Sequence, residues 1–166
     1  YLSLVRFYNP IGFWLLLWPG LWGLFLSDNF NIENFTIVVL GSFLTRSLGC
    51  AINDFLDRDF DKSVERTKNR PIASNELSLS EAGIFTILLA SVCIILLMQT
   101  NPYTIKLVSY VAIPMIILYP LMKRFLAMPQ LFLGATFGLS LPISYSIAES
   151  TLSIEVIFLY IGCIFW

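Results

Sequence analysis

Asp54, Asp57, Asp59 and Asp61 lie within eight residues of each other, in the segment "NDFLDRDFD" that follows an apolar run. If this segment is helical, Asn53, Asp57 and Asp61 fall at positions i, i+4 and i+8 and share one face. Asp54 lies within reach of that face, whereas Asp59 points nearly opposite. Like charges four residues apart repel each other. We therefore expect this face to bind a positively charged group.

The chemistry that suits this face is the binding of a divalent cation and phosphate. Its potential metal ligands are all oxygen atoms, which favours Mg²⁺ or Mn²⁺ over Zn²⁺, and the chain contains no histidine. Proteins typically hold Mg²⁺ through one or two carboxylates together with substrate phosphates. Arg66, Lys68 and Arg70 follow closely and can contact phosphate oxygens, the arginines through paired hydrogen bonds. The alternative is a solvated loop of mixed charge, the usual interpretation of such a segment taken alone.

Arg46 is a second candidate, because it lies inside an apolar run about two helical turns before Asn53. An arginine within a membrane segment is costly, and its presence indicates a functional site. Its expected partner is one of the aspartates or an anionic substrate. The alternative is a side chain that extends to the nearby membrane interface. Lys123 and Arg124, at the end of a later apolar run, are typical of cytoplasmic anchors.

The composition predicts that these residues are carried by an integral membrane protein. Of the 166 residues, 57% are hydrophobic and only 13% are charged, against about 25% charged residues in soluble domains. There is no basic face for nucleic acid, and the three cysteines lack metal-ligand spacing. The predicted fold class is all-α, a polytopic transmembrane helix bundle. Six apolar stretches are each expected to span the membrane, namely 9–27, 35–52, 80–99, 104–121, 131–148 and 152–166.

The distribution of basic residues predicts the orientation. Lysine and arginine concentrate in the connections 53–79 and 121–130, which places both in the cytoplasm together with Arg6. Threading six spans in order gives the same topology. The aspartates therefore lie at the cytoplasmic end of the second span.

Several motifs resemble the UbiA superfamily of intramembrane prenyltransferases. "NDFLDRDFD" is similar to its first aspartate-rich motif, N-D-x-x-D-x-x-x-D, and "VERTKNRPIAS" continues as that family does. "NPIGFWLLLWPGLWGL", "YPLMKRF" and "PQLFLGATFGLSLPISY" are similar to the branch that prenylates 4-hydroxybenzoate in ubiquinone synthesis. The resemblance covers nearly the whole chain.

The resemblance implies a bundle of nine transmembrane helices, about six of them in this chain. It implies Mg²⁺-dependent transfer of a polyprenyl group from polyprenyl diphosphate to the ring of 4-hydroxybenzoate. The expected location is a bacterial or mitochondrial inner membrane, with the site facing the cytoplasm or matrix. By position, the resemblance assigns catalysis to Asp54, Asp57 and Asp61, and metal binding to Asn53, Asp57 and Asp61. It assigns substrate binding to Arg46, Arg66, Arg70, Tyr119, Lys123 and Arg124.

Two features depart from the family's pattern. Tyr8 and Asn9 stand where the family usually has an acidic residue after its first arginine. The family also carries a second aspartate motif on a later cytoplasmic connection, and this sequence holds no second carboxylate cluster. We therefore expect 1–166 to be a single transmembrane prenyltransferase domain, truncated at its C-terminus and inactive alone. The menaquinone and haem O branches remain alternatives, as does a small cation transporter, whose site should lie near the bilayer midplane.

Overall fold

The computed structural model describes residues 1–122 and 128–165, and this part of the chain contains helices and no β-strand. The all-α prediction is therefore confirmed. A π-helical segment, Val108–Ala112, joins the two α-helices Pro102–Leu107 and Ile113–Met122. The α-helices are α1 (Ile11–Phe25), α2 (Ile32–Leu56), α3 (Arg58–Asp61), α4 (Leu79–Leu97), α5 (Pro102–Leu107), α6 (Ile113–Met122), α7 (Pro129–Gly138), α8 (Ser140–Glu149) and α9 (Ile154–Phe165).

These helices follow the six predicted apolar stretches. Within the described residues, four helical units are long and apolar enough to cross a membrane: Ile32–Leu56, Leu79–Leu97, Pro102–Tyr119 and Pro129–Glu149. The other two apolar helices, α1 and α9, are shorter, with 15 and 12 residues. The polytopic transmembrane bundle is confirmed, and its first and last described helices are shorter than the predicted 9–27 and 152–166.

Side-chain caps begin three of the helices after the short polar connections. The Asn31 side chain accepts a hydrogen bond from the Asn34 N–H at 2.8 Å at the start of α2. Ser78 and Glu81 form a reciprocal capping box at α4. Asn101 caps α5, which has proline at its first position. Each cap satisfies an N–H group that lacks a partner within its helix and stabilises the helix by about 1 kcal/mol.

Two breaks in the long helices lie next to prolines. The π-helical segment ends shortly before Pro114, and the break between α7 and α8 falls at Leu139, three residues before Pro142. Proline has no N–H to donate and its ring crowds the preceding turn, so the helix changes its hydrogen-bonding pattern there. Pro19 lies within α1, which stays one continuous helix. Pro114 and Pro142 therefore coincide with changes in helix geometry, whereas Pro19 does not.

The helix α1 is central to the packing, with α8 on one side and α2 on another, while α2 also packs on α4 and α7 on α9. Small residues let α1 and α8 approach closely. The Ser144 hydroxyl in α8 donates a hydrogen bond to the Gly20 carbonyl oxygen at 2.5 Å. Such contacts between small residues are a usual means of helix association in membranes.

We expect Gly23→Ala to destabilise this contact. A Cβ at position 23 would collide with the Leu141 carbonyl oxygen and lie 2.5 Å from Ser144 Oγ. Because backbone atoms cannot give way cheaply, the free energy of unfolding should fall by about 2 kcal/mol. Denaturant titration in detergent micelles measures the change. Gly162→Ala is the matched control, since a Cβ there meets nothing within 4 Å. Equal stability of the two variants would contradict the prediction.

Candidate functional site

The aspartate segment keeps its predicted face although α2 ends at Leu56. Asp57 follows with φ −96° and ψ 4°, and the four-residue α3 begins after it. Across this junction the Asp57 N–H donates to the Asn53 carbonyl at 2.9 Å, and the Asp61 N–H donates to the Asp57 carbonyl at 2.7 Å. The i to i−4 spacing of these hydrogen bonds is that of an α-helix. The expected alignment therefore survives the break.

Three carboxylates on this segment are buried. Asp54, Asp57 and Asp61 are 2%, 2% and 3% exposed, while Asn53 is partly buried. Asp59 points away, with its side chain 89% exposed and 3.8 Å from Lys62. Carboxylates are rarely buried unless they are paired with cations or metals. The segment is therefore more than a solvated loop of mixed charge.

Among the described residues, two arginines approach the buried carboxylates. Arg6 Nη2 lies 2.9 Å from Asp54 Oδ1. Arg70 Nη1 lies 3.1 Å from the same oxygen and 2.7 Å from Asp61 Oδ2. Two carboxylates thus lie within hydrogen-bonding distance of a single guanidinium nitrogen. The sequence predicted a phosphate contact for Arg70, and the structure shows it paired with these aspartates.

Sequence reasoning did not assign Arg6 to the site and used it only for orientation. No local signal could have found it, because its partner Asp54 is 48 residues away. Burial is the largest single influence on Arg6 and opposes its positive charge, but the attraction and hydrogen bond of Asp54, together with smaller contributions that include Asp61, raise the pKa of Arg6 above its ordinary value. Arg6 therefore stays cationic beside the aspartates.

An apolar cluster near the end of α2 positions the segments that carry these two arginines. Leu4, Ala51, Ile72 and Ala82 pack together, each at most 1% exposed. Leu4 precedes Arg6 by two residues, and Ile72 follows Arg70 by two residues. Burial of these side chains therefore brings the N-terminal segment and the loop after α3 to the end of α2. We call this group the Leu4 cluster.

Arg46 is partly buried and lies against two other helices. Its Cζ atom lies 5.9 Å from the centre of the Phe137 ring in α7, a cation–π contact. Its guanidinium also rests on Gly12 of α1. Among the described residues none forms an ion pair or a hydrogen bond with Arg46. A partly buried cation whose N–H groups have no partner among the described residues is well suited to bind an anion.

A cavity of about 270 Å³ lies beside Arg46 and Arg6. Its walls combine these two cations with aromatic rings. A second, larger cavity of about 510 Å³ is bounded mainly by apolar residues of α1, α7 and α9. The smaller cavity is lined by Val5, Arg6, Phe7, Asn9, Pro10, Phe13, Trp14, Phe43, Arg46 and Ser47.

The remaining predicted site residues have different positions. Tyr119 is partly buried and close enough to Arg46 and Arg6 for electrostatic interaction. Arg66 is exposed, and no described residue forms an ion pair with it. Lys123 and Arg124 lie outside the described residues. The structure therefore brings Tyr119, but not Arg66, toward the buried charges.

The donor atoms fit Mg²⁺, although no three acidic or cysteine side chains among the described residues converge as a complete ligand set. Asp54 and Asp61 contact Arg70 instead. The site nevertheless offers buried oxygen donors, which hard divalent cations prefer. Mg²⁺ usually needs only one or two carboxylates when phosphate oxygens and water complete its octahedron. The predicted ligands Asn53, Asp57 and Asp61 are therefore compatible with a metal bound together with a phosphorylated ligand.

Comparison with known sequences gives one consistent family. The sequence model of the UbiA prenyltransferase family matches residues 16–166. A 4-hydroxybenzoate octaprenyltransferase from Polynucleobacter asymbioticus is 42% identical over 168 residues, which cover 100% of this chain and 58% of the relative. One from Actinobacillus pleuropneumoniae is 40% identical, covering 100% of this chain and 57% of its own length. The chain thus spans between half and two thirds of these curated relatives.

Solved structures show the same fold. A UbiA homolog from Archaeoglobus fulgidus, bound to DMAPP and Mg²⁺, superposes with a TM-score of 0.80 at 20% identity, covering 99% of this chain and 59% of that one. The apo UbiA homolog from Aeropyrum pernix K1 gives a TM-score of 0.77 at 24% identity, covering 93% of this chain and 58% of that one. At these identities the likeness establishes the fold.

Proposed function

Because the chain belongs to the UbiA prenyltransferase family, we propose that it forms part of a site that transfers a polyprenyl group from polyprenyl diphosphate to the ring of 4-hydroxybenzoate, a step of ubiquinone synthesis. The relatives named for this activity match the whole chain. The observation that carries the proposal is the set of buried carboxylates at the end of a membrane-spanning helix. A diphosphate with a long apolar tail needs a site in which charged groups lie next to the apolar interior of the membrane.

The diphosphate is proposed to bind at the aspartate segment. Asn53, Asp57 and Asp61 would hold Mg²⁺ against its oxygens, with Asp54 beside them. The metal supplies positive charge that stabilises a departing diphosphate. Cationic and hydroxyl groups of the chain contribute further electrostatic stabilisation of the leaving group. We assign this role to Arg70 and Tyr119 and, as predictions from the family resemblance, to Arg66, Lys123 and Arg124.

The acceptor is proposed to bind at Arg46. A guanidinium can donate two parallel hydrogen bonds to a carboxylate, and Arg46 has no anionic partner among the described side chains. The neighbouring cavity of about 270 Å³ has aromatic walls that suit a single substituted ring. These features support an aromatic carboxylate as the acceptor.

Apolar surroundings serve the chemical step. Loss of diphosphate from a prenyl group leaves an allylic carbocation, which water would quench. The linings of both cavities are mainly apolar, which disfavours water, and aromatic rings such as those of Phe13 and Trp14 can stabilise a cation through their π faces. The acceptor ring then attacks the cation and loses a proton. We propose an inner membrane location, with this end of the bundle in the cytoplasm or matrix.

The proposed function is tested by two binding measurements on the chain reconstituted in lipid nanodiscs. It should bind DMAPP only when Mg²⁺ is present. Arg46→Ala should weaken binding of 4-hydroxybenzoate by about tenfold to a hundredfold and leave DMAPP binding unchanged, because a charged hydrogen-bond donor is lost. Lys62→Ala, which removes an exposed cation, is the control.

Two outcomes would contradict the proposal. DMAPP binding that does not depend on Mg²⁺, or no binding of either ligand, would argue against a prenyltransferase site. Cation flux into vesicles that contain the chain, without any binding of DMAPP, would favour the transporter alternative instead.

A further inference from the structure

Gly12 lies where the Arg46 guanidinium contacts α1. A Cβ built on Gly12 would lie 2.5 Å from Cζ and 2.6 Å from Nη2 of Arg46, and it would collide with Nε. Gly12 is itself buried. The guanidinium therefore occupies the space that a side chain at position 12 would take, and every residue other than glycine would displace it.

Arg46 is fixed by two helices other than its own. It belongs to α2, its guanidinium rests on Gly12 of α1, and its Cζ lies 5.9 Å from the centre of the Phe137 ring of α7. An unrestrained arginine populates many rotamers and loses this freedom when it binds a ligand. Contacts that restrict it beforehand lower the entropic cost of binding. The arrangement is thus a preorganised cation.

The N–H groups of this cation are available. In the described part of the chain no hydrogen-bond or ion-pair partner contacts Arg46, whereas Arg6 and Arg70 are paired with aspartates. Arg46 lines the cavity of about 270 Å³ together with Arg6. An anion that enters this cavity could therefore accept hydrogen bonds from Arg46, because no described residue uses the N–H groups of Arg46.

We infer that Gly12 is a positioning residue for the aromatic acceptor. By lacking a side chain, it lets Arg46 lie against α1 with its guanidinium at the cavity, where it receives the acceptor carboxylate. The inference rests on the proposed function, in which Arg46 binds that carboxylate. Gly12 itself touches neither substrate; it acts through Arg46.

A double-mutant cycle tests this role. Gly12→Ala should weaken binding of 4-hydroxybenzoate by about tenfold, because the displaced guanidinium no longer meets the carboxylate. In the Arg46→Ala background the same substitution should have no further effect, since residues that act through each other are not additive. Gly49→Ala is the matched control, because a Cβ there meets nothing within 4 Å. Titrations in nanodiscs, with Mg²⁺-dependent DMAPP binding measured in parallel, give all four affinities.

The outcomes separate this inference from the proposed function. Wild-type affinity for 4-hydroxybenzoate in Gly12→Ala, or an equal loss in both backgrounds, would overturn the inference alone. No binding of 4-hydroxybenzoate by the unsubstituted chain would overturn the proposed function and the inference with it.

A second variant guards against a general effect on folding. Phe137→Leu removes the other contact of the guanidinium without filling the space at Gly12, and it should weaken acceptor binding while DMAPP binding stays unchanged. Loss of DMAPP binding in both Gly12→Ala and Phe137→Leu would mean that these positions support the fold as a whole. That result would also overturn the inference.

Discussion

Asp61→Asn is expected to weaken Mg²⁺-dependent binding of DMAPP by about a hundredfold or more. Loss of a residue that only supports a metal ligand lowers metal affinity or activity by about tenfold to a hundredfold, and Asp61 is proposed to be a ligand itself. Asparagine keeps the shape of the side chain and removes its charge. Asp61 is 3% exposed and is a proposed ligand of the metal–diphosphate pair. Titration of the nanodisc-embedded chain with DMAPP at fixed Mg²⁺ measures the effect.

Asp59→Asn provides a closely matched control for this prediction. Asp59 lies two residues from Asp61 in the same helix, but its side chain is 89% exposed and interacts with Lys62 rather than with the buried charges. Its substitution should leave DMAPP binding within about twofold, as most exposed changes have small effects. An equal loss in both variants would show that only the overall negative charge matters and would contradict a specific site.

The second large effect concerns stability. Arg70→Leu removes the cation that contacts both Asp54 and Asp61, at 3.1 and 2.7 Å. Removal of one partner of a buried ion pair usually lowers the free energy of unfolding by about 3–5 kcal/mol. Because Arg70 is partly exposed, we expect a smaller fall of about 2–3 kcal/mol. Denaturant titration in detergent micelles measures this fall. Arg66→Leu, at an exposed position, should change stability by about 0.5 kcal/mol or less.

A double variant distinguishes charge burial from lost packing. Arg70→Leu/Asp61→Leu removes both members of the closer pair, and Asp54 keeps its contact with Arg6. Replacement of a buried ion pair by apolar residues is often neutral or stabilising. The double variant should therefore regain part of the stability that Arg70→Leu loses. A further loss would contradict our account of the network.

Much of the fold could be predicted because the sequence signals of membrane helices are local. Runs of apolar residues and the polar caps between them are properties of neighbouring residues, so the six helical units lie close to their predicted positions. Helical periodicity alone predicted that Asp59 points away from the other aspartates, and the structure agrees, with its side chain 89% exposed. The breaks at Asp57 and before Pro114 involve single turns, which periodicity does not resolve.

The candidate site was harder to predict, because its charges meet through tertiary contacts. The sequence placed Asn53, Asp57 and Asp61 on one face with Asp54 within reach of it, and the structure adds the pairing of Asp54 with Arg6. The pairing depends on how the N-terminal segment packs, and no local pattern encodes that. The roles assigned to all the site residues remain predictions: Arg46, Asn53, Asp54, Asp57, Asp61, Arg66, Arg70, Tyr119, Lys123 and Arg124. The partnerless state of Arg46 among the described residues likewise emerges only from three-dimensional packing.

The Leu4 cluster has a consequence for the order of assembly. Its members come from the N-terminal segment, α2, the loop after α3 and α4, and Leu4 and Ala82 are separated by most of the first half of the sequence. Contacts of such long separation form late, since the intervening chain must first be in place. During synthesis Asp54 therefore follows one partner, Arg6, and precedes the other, Arg70, which joins the ion-pair network only after the segment that follows α3 has been made. The packing that brings Arg6 and Arg70 to the aspartates is therefore complete only after α4 has been made.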